Sequence, residues 1–203
     1  MELLHAVEVR VLGALIEKDI TTPEYYPLTV NSLQNACNQK SSRDPVVQYD
    51  EDTVEQALEL LRNKRLVIRI SGAGHRVEKF GHRLGETLNL GRREMALLCV
   101  LMLRGAQTVG ELRGRTERMH DFTDLEEVER VLETLEKREP EALVARASRG
   151  RWVHLLGGPV ELDDHAPAAV VVRTPLEERV AALERDLERL KQQLQEKLGE
   201  RFE

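Results

Sequence analysis

Between Leu60 and Arg83 the chain sets Arg62, Lys64, Arg65, Arg69, Arg76, Lys79 and Arg83 against a single acid, Glu78. Guanidinium and ammonium groups at this density suit phosphate oxygens, which are held by charge and hydrogen bonds without any reading of bases. A sparser version follows later, where Arg146, Arg149 and Arg151 cluster, and Arg113, Arg115 and Arg118 mark another segment. Lys40 and Arg43 stand in a polar stretch between Asn38 and Pro45. The candidate phosphate contacts are therefore Lys40, Arg43, Arg69, Arg76, Lys79, Arg113, Arg115, Arg118, Arg149 and Arg151.

Other chemistries find less support. Glu55 with Glu59 and Glu129 with Glu133 are acid pairs one helical turn apart, and on an exposed helix face such pairs stay solvated rather than share a proton. His75, His82, His120 and His154 lack the short spacings of a zinc site. Gly72-Ala73-Gly74 lies between two β-rich stretches instead of opening a helix, so it is no phosphate cradle. No catalytic residue, cofactor or metal is expected, and the chain reads as non-enzymatic.

The elements that must position these residues occur twice. Asp50-x-x-x-Val54-Glu55-x-x-Leu58-Glu59-x-Leu61 returns as Asp124-x-x-x-Val128-Glu129-x-x-Leu132-Glu133-x-Leu135, and Thr29-Val30-x-x-Leu33 returns as Thr108-Val109-x-x-Leu112. Matching order with unequal loops implies two copies of one small unit. In the first copy, apolar spacing predicts helices over Val7 to Lys18, Thr29 to Cys37 and Glu51 to Lys64, with a hairpin formed by 66–70 and 75–80 around a glycine turn. In the second, helices are expected over Arg93 to Arg104, from a Thr108/Glu111 capping box, and over Asp124 to Lys137. Leu143 to Ala145 and Trp152 to Leu155 supply its hairpin.

Three helices followed by a hairpin is the winged-helix order. The expected fold is thus mainly α with small β-hairpins (α+β), as two tandem winged-helix domains over 1–88 and 89–157. A linker over 158–175 and a C-terminal amphipathic coiled-coil helix over 176–203 complete it. Val180, Leu183, Leu187, Leu190 and Leu194 alternate steps of three and four, the seam of a homodimer.

Composition narrows the partners. A net charge of −6 offers no global attraction for nucleic acid. The longest apolar run, Ala96 to Leu103, falls far short of the roughly 20 residues of a membrane helix. The N-terminus lacks the basic start and apolar stretch of a secretion signal. Cys37 and Cys99 are expected as buried free thiols in a reducing cytoplasm.

Tyr26-Pro27-Leu28-Thr29, Ala36-Cys37-Asn38-Gln39-Lys40-Ser41 and Arg43-Asp44-Pro45-Val46 are distinctive. With Leu103-Arg104-Gly105-Ala106-Gln107-Thr108 and Gly110-Glu111-Leu112-Arg113, they resemble the uncharacterised bacterial YceH-like family over about Glu8 to Leu156. That resemblance implies tandem winged helices and carries no activity, ligand or catalytic residue with it. The second hairpin departs from the family pattern in its shorter turn and in Trp152, where tyrosine is expected. A looser, architectural likeness links paired acidic winged helices to the ScpB-type partners of chromosome-condensing complexes.

A helix-turn-helix reader presents the start of its third helix to the major groove. Here that start is Asp50-Glu51-Asp52 in one copy and Asp124, Glu126 and Glu127 in the other, and phosphates would repel both. Two functions follow. The first is a nucleic-acid-associated regulator holding double-stranded DNA by its basic wings and the Lys40–Arg43 turn. The alternative is a protein-interaction adaptor whose acidic third helices face a basic partner, with Tyr25, Tyr26, Glu51, Glu55 and Glu127 as contacts. The tyrosines have a competing role as cover for the core, and the amides between Asn31 and Gln39 as caps of a helix end.

Overall fold

A computed structural model describes residues 2–70 and 77–158, all within one compact unit. The expected linker and the dimerisation residues Val180, Leu183, Leu187, Leu190 and Leu194 lie outside the described residues, as do His75 and Arg76. The architecture is mixed α+β. The first copy runs α1 (Ala6–Thr21), α2 (Val30–Cys37), α3 (Glu51–Asn63), β1 (Val67–Ile70) and β2 (Lys79–His82). A short helix α4 (Leu84–Leu88) leads to α5 (Arg92–Arg104), β3 (Gln107–Thr108), α6 (Val109–Thr116), α7 (Leu125–Glu136), β4 (Val144–Arg146) and β5 (Arg151–His154). Among the described residues, no helix is long and apolar enough to cross a membrane.

The repeated residues turn out to be caps and core. Thr29 and Thr108 are the N-caps of α2 and α6, and Asp50 and Asp124 are those of α3 and α7. Each side-chain oxygen accepts a backbone N–H three residues on, satisfying a donor that the helix itself leaves unpaired. The Thr108/Glu111 capping box is complete, with the carboxylate accepting from the Thr108 N–H at 2.8 Å. Between the caps, Leu33, Val54, Leu58 and Leu61 are buried, and so are their counterparts Leu112, Val128, Leu132 and Leu135.

The sheets repeat too. β1 pairs antiparallel with β2, Val67 opposite His82, and Leu28 bridges to Phe80 on the far side of β2. In the second copy β5 lies between β4 and β3, with Gln107 opposite Trp152. The second strand of the first hairpin starts at Lys79, later than the 75–80 span that β-propensity suggests. The reason is tertiary: both backbone groups of Phe80 bond to Leu28, at 2.7 and 3.1 Å, and fix the register there.

The two copies share a core through α1 and α5. Val7–Ile16 of α1 and Met95–Leu103 of α5 are buried on every side, which an amphipathic surface helix never is. One face of each helix covers its own copy and the other meets the opposite helix. Gly13 sets the closeness of that meeting. A Cβ there would stand 3.0 Å from Leu103 Cδ2 and 3.2 Å from Met102 Cβ, and the Cys99 thiol donates to the Gly13 carbonyl at 3.4 Å. Backbone bonds stitch the edges of the seam, Asp44 N–H to the Leu103 carbonyl at 2.9 Å and Leu4 N–H to the Leu156 carbonyl at 2.8 Å.

Gly13→Leu tests the seam. Leucine is a better helix former than glycine by about 0.8 kcal/mol, so propensity alone would raise stability. Overpacking at a 3.0 Å contact is expected to prevail and lower unfolding free energy by about 1–3 kcal/mol in urea titration. Unchanged or increased stability would mean that the helices do not meet at Gly13.

Candidate functional site

The expected phosphate contacts separate sharply once placed. Arg43 is not in an open turn but 6% exposed, and its guanidinium donates to both oxygens of Glu17 at 3.0 and 2.6 Å and to the Ala36 carbonyl at 2.8 Å. It is a strut between the end of α2 and α1, and the phosphate role expected for it is corrected on that ground. Arg151 donates to Glu111 and to the Ala106 carbonyl, and Arg113 spends its guanidinium on the carbonyls of Phe122 and Thr123. Arg69 pairs with Glu78 at 2.9 Å across the first hairpin, and Arg115 lies 3.6 Å from Glu111. Glu111 is held below the usual carboxylate range by the Thr108 N–H, with Arg151 and Arg115 adding their charge.

Four candidates remain without a hydrogen-bonded or charged partner among the described residues: Lys40, Lys79, Arg118 and Arg149. Arg149 sits at the tip of the second hairpin in the left-handed region, φ 56°. Lys79 opens β2. Lys40 and Arg118 belong to different copies yet line one cleft.

The acidic candidates divide similarly. Glu51 and Glu55 are exposed on α3. Glu127 is consumed locally: it accepts from Thr123 N–H at 3.0 Å and pairs with Arg93 at 3.1 Å, and the Thr123 bond leads in holding its pKa down. Its expected role as a free partner contact is corrected. Tyr25 is 73% exposed, whereas the Tyr26 hydroxyl accepts from His82 N–H at 2.6 Å and Tyr49 is buried. The amides act as caps and struts: Asn38 bonds both backbone groups of Tyr49, and Gln34 reaches its carbonyl. Both cysteines are free and buried, and burial pushes the Cys37 thiol up to about 12.

Two concave regions result. The first lies along α3, where Asp52, Glu55, Glu59 and Glu78 rim a hollow of about 580 Å³ floored by Val30, Leu58, Leu60 and Phe80. Leu60, Ile68, Ile70 and Val77 are large apolar side chains left exposed on the same copy. The second, of about 480 Å³, lies between the copies, flanked by the end of α1, the turn after α2, the end of α5 and α6. Sequence reading found the acids of the first region but missed its apolar floor. It named Lys40, Arg115 and Arg118 but missed that they line one cleft, because the basic residues there are scattered from Lys18 to Arg118.

Comparison with known proteins places the chain in a family. Residues 4–151 match the family model described as "Protein of unknown function, DUF480". The chain is 53% identical over 194 residues to a UPF0502 protein of Solibacter usitatus, covering 93% of each chain. It is 50% identical over 197 residues to a UPF0502 protein of Opitutus terrae, covering 94% of this chain and 84% of the relative. A UPF0502 protein of Serratia proteamaculans is 46% identical over 204 residues, covering 95% and 94%. The chain belongs to this DUF480/UPF0502 family.

Arg43 supplies the sharpest test of the strut. Burial pushes the Glu17 pKa up, but hydrogen bonding and charge from Arg43, with Lys18 adding, hold it below the usual carboxylate range. A carboxyl whose folded pKa is depressed stabilises the fold above its unfolded value, about 4.3, and loses that contribution as the pH falls. Arg43→Ala is expected to cost about 3–5 kcal/mol in urea unfolding at pH 7, because it leaves half-buried Glu17 with Lys18 as its one remaining cation. The gap from the parent should narrow as the pH falls below the usual carboxylate range, through which Glu17 of the parent is progressively protonated. A cost under about 1 kcal/mol would return Arg43 to the surface.

Proposed function

We propose that this chain is a cytoplasmic, non-enzymatic tandem winged-helix protein that works as a protein-interaction adaptor, docking a basic amphipathic segment of a partner on the α3 face. The hollow rimmed by Asp52, Glu55, Glu59 and Glu78 and floored by apolar side chains carries this reading. Lysines and arginines on such a segment meet Asp52 and Glu55, since Glu59 and Glu78 already pair with Arg62 and Arg69, and its leucines enter the hollow, the helix-in-groove mode of recognition. The same rim opposes a duplex docked in the helix-turn-helix manner, since the α3 N-terminus adds Glu51 to the carboxylates facing the phosphates.

A second reading, a nucleic-acid-associated regulator, keeps support from Lys79 and Arg149, cations on the two hairpins without a side-chain partner among the described residues. It is the weaker one here because Arg69 and Arg151 already hold carboxylates and Arg43 is buried. The amphipathic pattern over 176–203 adds homodimerisation to either reading.

A leucine- and lysine-rich amphipathic probe peptide is expected to bind the full chain with an affinity that weakens as salt rises. Asp52→Lys with Glu55→Lys should weaken that binding at least about tenfold, as fluorescence anisotropy would read it. Tight, salt-dependent binding of a random DNA duplex, lost in Lys79→Glu with Arg149→Glu and unaffected by the α3 reversal, would instead support the regulator.

A further inference from the structure

The cleft between the two copies gathers Lys18, Lys40, Arg104, Arg115 and Arg118 around one acid, Glu17. Glu17 is already committed, to Arg43 at 2.6 Å and to Lys18 at 3.3 Å. In a chain whose net charge is −6, such a concentration of positive charge needs a local reason. Like charges brought together destabilise the fold unless an anion joins them.

Details of the cleft strengthen this. Arg104 is lowered in pKa by burial first, then by the charges of Arg115 and Arg43. Its Nη2 donates not to a carboxylate but to the Ser42 hydroxyl at 2.7 Å. Ser42 stands in the left-handed region at φ 61°, an uncommon conformation for serine, and the loop behind it is pinned by the Asp44 to Leu103 backbone bond. The guanidinium is thereby oriented without being neutralised. Gly105, at φ 69° and ψ −150°, occupies a region open essentially to glycine alone and turns the chain away directly after Arg104. Lys40 and Arg118 have no partner among the described residues. Arg115 is shared with Glu111 at 3.6 Å, and Lys18 with Glu17 at 3.3 Å.

The geometry points to a binding site for a small polyphosphate, of the nucleoside di- or triphosphate class, held across the seam by Lys40, Arg104, Arg115 and Arg118. Three observations select that class. Several cations converge on one space, as a chain of phosphates requires, with guanidiniums able to clamp oxygens two at a time. The volume of about 480 Å³ lies within the range of small-ligand pockets, which favour domain boundaries. Val100, Leu103 and Met119 add an apolar side against which an organic moiety can lie. The cleft is concave, whereas the duplex backbone that the hairpins would meet is convex. This site is separate from the α3 hollow, so it stands or falls independently of the adaptor reading.

The test uses the full chain with ATP and, separately, inorganic tripolyphosphate, followed by isothermal titration calorimetry at low salt. Saturable binding with one ligand per chain is expected, together with a rise in melting temperature, because the ligand ties both copies together. Lys40→Glu with Arg118→Glu changes only exposed, unpartnered side chains, so the unliganded melting temperature should stay within a few degrees of the parent. Affinity should fall at least about tenfold. Binding of neither probe at millimolar concentration would overturn the site. Equal binding by the double variant would do so as well. A site that takes a short DNA duplex, loses it in the double variant, and ignores both small probes would also overturn it, in favour of a nucleic-acid backbone.

Discussion

The close approach of α1 and α5 at Gly13 is the constraint on which the rest of the structure depends. A repeat of about 75 residues buries little surface by itself, and small units of this size are marginal when they stand alone. Here each copy lends its first helix to a common core, so neither has a free apolar face at that point. Methyl-sized changes matter in such a contact because close-packed interiors have no slack to absorb them. The seam also fixes two loops that would otherwise wander, through the Asp44 to Leu103 and Leu4 to Leu156 bonds.

The distribution of charge follows from that seam. Closing α1 on α5 carries charged side chains inside, where each must find partners. Glu8 accepts from Lys64 at 2.7 Å, Glu17 from Arg43, and Arg10 donates to the Pro45 carbonyl at 2.6 Å with burial lowering its pKa. Cations that looked available for phosphate are partly spent in this way. Those that remain free among the described residues are divided between the hairpins and the cleft above the seam, while the α3 face keeps its acids in solvent. Two surfaces of opposite sign therefore lie on one compact unit.

Much of this was legible in the sequence, for local reasons. Asp50 and Asp124, Thr29 and Thr108, and the leucines spaced after them declare helix starts and inward faces within a few residues, so the duplicated order of helices and hairpins could be read directly. What escaped was non-local. β3 is two residues long and exists because Gln107 meets Trp152. The Leu28 bridge that sets the first hairpin depends in the same way on Phe80. Arg43 in a polar turn has every local sign of exposure, and only Glu17, 26 positions away, decides otherwise. The run Ala96 to Leu103 was the one available sign of the seam. Its apolar character on all sides excludes a surface helix, though it does not say which partner covers it.

The claim that the two copies form one cooperative unit has a direct test, because each carries its own reporter. Trp152 is the only tryptophan and lies buried in the second copy, while Cys37 lies buried in the first. Urea unfolding of a Cys99→Ala variant can be followed by Trp152 fluorescence and by Cys37 labelling in the same samples. A shared core predicts that the two curves coincide at one midpoint. Two separated midpoints, with one copy labelled or unfolded while the other stays native, would contradict it.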